Sequence, residues 1–190
     1  MPPYRVTLAY DGTEFSGWQA QDAAGGARTV QGALEDALSR IGGGVRVAVA
    51  GAGRTDAGVH ALGQVASFSF PREMAPPDLV RALNAVLPPD VRVLAGSFCD
   101  AGFHARKSAE AKLYRYVLDT GTLQLPTRRR FAGHFHGELD PVRVGEVAAL
   151  FSGRHDFASL ASAGSSVKTT VRSVLRSEAR VERRGSHARL

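Results

Sequence analysis

The 190-residue sequence predicts an α+β protein made of two ferredoxin-like halves with antiparallel sheets, the second half truncated. Three observations predict it. The first hundred residues read as strand, helix, strand, strand, helix, strand. A second copy of that order begins near residue 112 and stops before completing itself. An apolar content of 44% is ordinary for a chain that buries a core. The expected division is an N-terminal domain over 1–105, which carries a Gly-rich loop with one acid, and a partial C-terminal domain over 106–190.

Each element has a local reason. Residues 4–11 alternate, with Tyr4, Val6, Leu8 and Tyr10 on one side and Arg5, Thr7, Ala9 and Asp11 on the other, the period of a half-buried strand. After a turn-rich stretch, Thr29 is placed to cap a helix whose apolar positions are Val30, Ala33, Leu34, Ala37, Leu38 and Ile41; Gly42-Gly43-Gly44 stops it. Residues 45–50 and 62–70 read as strands flanking the Gly-rich loop. Pro76-Pro77-Asp78 opens a second helix carrying Leu79, Ala82, Leu83 and Val86, and Pro88-Pro89 closes it before a strand over 91–98. This split βαβ plan puts both helices on one sheet face and leaves the other for a ligand, as in many RNA-binding modules. In the second half, Tyr114-Arg115-Tyr116-Val117-Leu118 echoes Tyr4-Arg5-Val6-Thr7-Leu8, and each is followed by Gly-Thr. A helix over 140–152 and a strand over 170–181 continue the copy. A strand, a helix and a closing strand are then missing.

Composition excludes several classes. No stretch approaches the roughly 20 apolar residues of a bilayer span, and the Met1-Pro2-Pro3-Tyr4 start lacks the features of a secretion signal, so the expected location is the cytoplasm. Cys99, the single cysteine, cannot form an internal disulfide and reads as a packed residue. The net charge of +6 is uneven: residues 1–99 hold 8 basic against 9 acidic side chains, and residues 100–190 hold 16 against 9. Arg106, Lys107, Lys112, Arg115, the run Arg128-Arg129-Arg130, Lys168, Arg172, Arg176, Arg180, Arg183 and Arg184 form either a phosphate-tracking surface or a solvated basic face.

The sequence AGAGRTDAGVHA over residues 50–61 places Gly51, Gly53 and Gly58 around Arg54, Asp56 and His60. Glycines so spaced permit left-handed turns and close approach of a bulky ligand. Arg54 and Asp56 stand two residues apart, near enough to pair, and a guanidinium there would hold Asp56 ionised, as a nucleophile or general base requires. The residues alone allow two readings: a ligand site, or a loop held by a structural Asp-Arg pair. A catalytic zinc would need three protein ligands, and only Asp56 and His60 are in range. A phosphate-cradling loop would need Gly-Lys-Ser/Thr after the glycines. Asp11-Gly12-Thr13 lacks the second aspartate of an aspartyl-phosphate enzyme.

Five segments, YDGTEFSGWQAQ (10–21), TVQGALEDAL (29–38), AGRTDAGVHALGQVASF (52–68), KLYRY (112–116) and GRHDFASL (153–160), resemble in order the motifs of TruA-type tRNA pseudouridine synthases. The resemblance covers residues 4 to about 181, and GRTDAGVH is its most specific part. It implies an enzyme that isomerises uridine to pseudouridine in the anticodon stem-loop of tRNA, at positions 38 to 40. It also implies a homodimer without metal or organic cofactor, with the cleft between the two ferredoxin-like halves. The family's catalytic aspartate falls on Asp56, its flanking arginine on Arg54 and the tyrosine that packs on the target base on Tyr114. Trp18, Gln19 and His60 are expected to shape the loop, and the arginines 128–130 to meet phosphate. Members of the family continue with an arginine-bearing helix that has no counterpart here. The alternative reading is therefore a truncated or inactive fragment that acts only as an RNA-binding module.

Overall fold

The alternation of the N-terminal residues becomes β1 (Pro3–Tyr10), whose Tyr4, Val6, Leu8 and Tyr10 are buried. The computed structural model describes residues 1–20, 26–161 and 169–182; Gln21, Lys168, Arg183, Arg184 and the 183–190 tail lie outside them. α1 (Val30–Ile41) begins where Thr29 Oγ1 accepts the Gly32 N–H at 3.2 Å. β2 (Ala50–Gly51), β3 (Ala61–Ser69), α2 (Pro76–Val86) and β4 (Val91–Phe98) follow. The four strands form one antiparallel sheet in the order β2-β3-β1-β4.

One face of that sheet makes the core. The four inward side chains of β1 share a single apolar cluster with Val30, Leu34, Ala37 and Leu38 of α1 and Leu79 and Leu83 of α2. Each fully buried side chain of this size contributes about 1.5–3 kcal/mol. The Tyr4 hydroxyl, carried deep into this cluster, donates to Met74 O at 2.7 Å and accepts Met74 N–H at 2.9 Å, so its burial leaves no polar group unpaired. β4 is an edge strand, and Asn84 of α2 closes part of that edge: Asn84 Nδ2 donates to Val93 O at 2.8 Å and Asn84 Oδ1 accepts the Val93 N–H at 2.9 Å.

The opposite face, expected to be free, is partly covered. The Ala105 N–H donates to the buried Ser67 Oγ at 3.0 Å, Arg5 Nε donates to Ser97 Oγ at 2.9 Å, and the Arg5 guanidinium stands 6.0 Å from the Phe103 ring centroid. The burial of Ala66, Ser67 and Phe68 in succession follows from cover on both sides.

The strand expected over 45–50 shrinks to Ala50–Gly51. Val47 and Val49 are buried, as the alternation requires, but the backbone of Val49 is claimed by α1: its N–H donates to Glu35 Oε1 at 3.0 Å and its C=O accepts from Gln31 Nε2 at 3.1 Å.

The chain divides into two compact units, Met1–Arg115 and Tyr116–Leu190. The second contains β5 (Leu118–Asp119) and β6 (Gly133–His134), paired in parallel, then α3 (Pro141–Ala149), and an antiparallel pair of β7 (Gly153–Asp156) with β8 (Val171–Val174). α3 starts at Asp140, whose carboxylate accepts the Val142 N–H at 2.9 Å. The strand expected from the Tyr114–Leu118 echo is not formed before Leu118. No large apolar side chain of this unit is buried among the described residues, so nothing offsets the ordering of a longer strand. Among the described residues no helix is long and apolar enough to cross a membrane.

Candidate active site

The loop joining β2 to β3 carries Arg54, Thr55, Asp56 and His60, and backbone groups on either side of Asp56 are hydrogen-bonded to neighbouring segments. The hairpin extends one rung past β2, with Ala52 N–H donating to Val65 O at 2.8 Å. Gln64 Nε2 then donates to Gly53 O at 2.7 Å. Thr55 is held twice, its C=O by the Trp18 N–H at 2.9 Å and its Oγ1 by the Tyr10 hydroxyl at 2.9 Å. The Gly58 N–H donates to Phe15 O at 3.2 Å.

Asp56 opens a four-residue turn. The Val59 N–H closes it onto Asp56 O at 3.2 Å, and the third residue, Gly58, has φ of 78°. A positive φ at the third position is what a type II turn requires, and glycine takes it without strain. Gly51 serves a different need: a Cβ there would stand 2.4 Å from Trp18 Cε2, so its hydrogen lets the buried indole lie under the loop.

The side chains of Arg54 and Asp56 are both exposed, and among the described residues no ion pair joins them. The pairing expected from their spacing is absent because two exposed charges gain little from contact and lose side-chain freedom in making it. The Asp56 carboxylate is thus presented to solvent from a fixed backbone. Tyr114 is 70% exposed and lies in a segment without regular structure. That segment reaches the loop through Lys112, whose Nζ stands 3.1 Å from where a Cβ on Gly53 would be. One aromatic ring, one ammonium and one carboxylate are therefore carried on the same unit of the fold.

The expected loop-shaping residues have identifiable contacts. Trp18 is buried, its ring centroid 6.2 Å from that of Tyr10. Gln19 Nε2 donates to Gln31 Oε1 at 2.8 Å. His60 Nδ1 lies 3.1 Å from the Gly12 N–H and 3.1 Å from Asp11 Oδ1. Nδ1 accepts from the amide when it carries no hydrogen and donates to the carboxylate when it carries one, so it serves one of these two partners at a time. Tyr10, Phe15 and Gln64 are supports that the sequence reading did not single out. Tyr10 sat in the apolar alternation of a strand, and Phe15 and Gln64 carried no charge pattern. Burial pushes the Tyr10 phenol up, only partly offset by its bonds to Thr55 and Gln64.

The basic residues fare differently. Arg106, Lys107, Lys112 and Arg115 are exposed on the first unit. Arg128 is committed to Asp119 by a close ion pair, which holds the Asp119 carboxyl below its usual range. Arg180 pairs with Glu178 at 2.7 Å, and Arg172 Nη1 donates to Thr169 O and Val171 O.

A family model described as tRNA pseudouridine synthase matches residues 7–106. The tRNA pseudouridine synthase A of Latilactobacillus sakei is 44% identical over 171 residues, which is 90% of this chain and 68% of that protein. Those of Lacticaseibacillus casei and Solidesulfovibrio magneticus are 42% and 49% identical, over 92% of this chain and 69% and 64% of their own lengths. The chain thus spans about two thirds of the length of the curated relatives it matches. With a matched segment that runs from β1 past the Asp56 turn, and relatives of this identity along nine tenths of its length, the chain belongs to the tRNA pseudouridine synthase family.

Proposed function

We propose that the chain isomerises uridine to pseudouridine in the anticodon stem-loop of tRNA, at positions 38 to 40, with Asp56 as nucleophile or base after the target base is flipped out. The observation that carries this reading is the exposed Asp56 carboxylate at the first position of a turn whose neighbours are hydrogen-bonded to β1, β3 and the 12–18 segment. The reaction breaks the bond from ribose C1′ to uracil N1 and forms one from C1′ to C5. The C5 proton is lost to solvent and N1 gains one, so the product is an isomer and no redox partner is needed. One ionised carboxylate suffices, either by adding to the substrate or by taking a ribose proton.

Flipping a base out of a stem costs a few kcal/mol, which an intercalating cation and an aromatic platform offset. Arg54 is suited to the vacated space and Tyr114 to stacking on the flipped uracil, consistent with their exposure on the first unit. We read both halves as ferredoxin-like; for the first, the order β2-β3-β1-β4 supports this. Working as a cytoplasmic homodimer is part of the same proposal, and light scattering at defined concentration tests the dimer.

The test is tritium release from a stem-loop labelled at uracil C5. Asp56→Asn should abolish release while leaving tRNA affinity within several-fold; turnover by the Asn variant would refute the assignment. A second reading, an RNA-binding module without catalysis, draws on the exposed apolar side chains in the described part of the second unit. Release by a longer chain only, with this chain silent, would favour it.

A further inference from the structure

One strut of the Asp56 turn comes from residues 11–18, and a cation outside the loop holds that strut in place. Arg28 makes a two-pronged ion pair with Asp90, Nη1 to Oδ2 at 2.8 Å and Nη2 to Oδ1 at 2.9 Å, which fixes the guanidinium plane as a single bond would not. The guanidinium carbon stands 4.0 Å from the centroid of the Phe15 ring, within cation–π range. The backbone repeats the linkage: Arg28 O accepts the Ser16 N–H at 2.8 Å, and Asp90 O accepts the Asp11 N–H at 2.9 Å. Phe15 is buried beneath Arg28, and its carbonyl receives the Gly58 N–H at 3.2 Å. Gly58 is the third residue of the turn that begins at Asp56.

We propose that Arg28 is a positioning residue for Asp56, acting through Asp90 on one side and the Phe15 carbonyl on the other; this rests on the reading of Asp56 as the reacting group. The Arg28 and Asp90 side chains are 43% and 23% exposed, so the pair adds little to global stability. Its effect is directional. Removing the guanidinium frees the Phe15 ring to shift, and with it the carbonyl that aligns Gly58. A displacement of about 1 Å in a reacting group lowers turnover on the order of a hundredfold without weakening binding.

The test compares wild type, Arg28→Ala and Arg28→Lys by two readouts on the full chain. In amide hydrogen exchange, Gly58 and Val59 should exchange about tenfold faster in both variants, while Val6 and Leu8 of β1 change less than about twofold. With a C5-labelled uridine stem-loop, kcat should fall roughly a hundredfold and KM stay within about threefold. Lysine should not rescue, because it keeps the charge without the fork. Equal acceleration at Gly58 and in β1, unchanged Gly58 exchange, or full kcat in Arg28→Ala would each overturn the proposal. A wild-type chain that releases no tritium would instead count against the reaction assigned to Asp56, and the exchange data would still decide whether Arg28 holds the turn.

Discussion

The phenol of Tyr10 spans the boundary between core and loop: the ring is buried among β1 and Trp18, and the hydroxyl reaches Thr55 Oγ1. Burial raises its pKa above the ordinary value near 10, while the unfolded chain keeps that ordinary value. The stabilisation tied to the protonated phenol is therefore complete below about pH 10 and is lost as pH rises through the raised value. We expect thermal unfolding midpoints of wild type to drop more steeply above about pH 10 than those of Tyr10→Phe. At neutral pH the Phe variant should lose about 0.5–1.5 kcal/mol, one hydrogen bond, with added mobility at Thr55 visible in exchange. None of this is written in the local sequence, where Tyr10 is one apolar position among four. What joins it to Thr55, 45 residues away, is the sheet register.

Elements with local signals came out as read. α1 runs Val30–Ile41 because Thr29 supplies the first acceptor and three glycines supply the stop, both within a turn of the helix ends. Thr29→Ala should destabilise the first unit by about 1 kcal/mol in urea titration, within the 0.5–2 kcal/mol range for lost caps. The β4 strand matched its expected 91–98 span for the same reason, a proline pair before it and clean alternation at its start. β2 is shorter than the alternation predicts, since the burial of Val47 and Val49 does not require strand pairing, and Val45 is exposed. Two side chains of α1 take the Val49 backbone in place of a strand partner. The KLYRY segment was over-read as a strand for the opposite reason: its residues are exposed, and a β pattern without a surface to pack on gains too little to order itself.

Across the whole chain the apolar core belongs to the first unit, and the described part of the second has only exposed or half-buried side chains, including Val142, Val147, Leu150 and Phe151 of and beside α3. We expect residues 1–115 alone to unfold cooperatively with a midpoint close to that of the full chain, by circular dichroism. We also expect the full chain to bind a hydrophobic dye that the 1–115 piece does not. Loss of cooperativity in the shorter piece would show that the second unit completes the core. The surplus of basic over acidic residues beyond residue 100 gives a further expectation. Affinity for tRNA should fall with salt at a log–log slope of about −0.9 per neutralised phosphate in duplex regions, and a flat response would remove the RNA surface from the proposal.

The sequence by itself determined the order of elements in the first unit, the caps and stops of its helices, and the identity of the loop that holds Asp56, because each depends on residues within a few positions of one another. Only the tertiary structure decided that Arg54 and Asp56 stand apart, that Tyr10, Phe15 and Gln64 fix the loop, and that Arg28 reaches it through Phe15. The loop supports and the Arg28 link depend on contacts across 11 to 62 residues of chain, set by sheet register and by which backbone groups remain unpaired once the strands have formed.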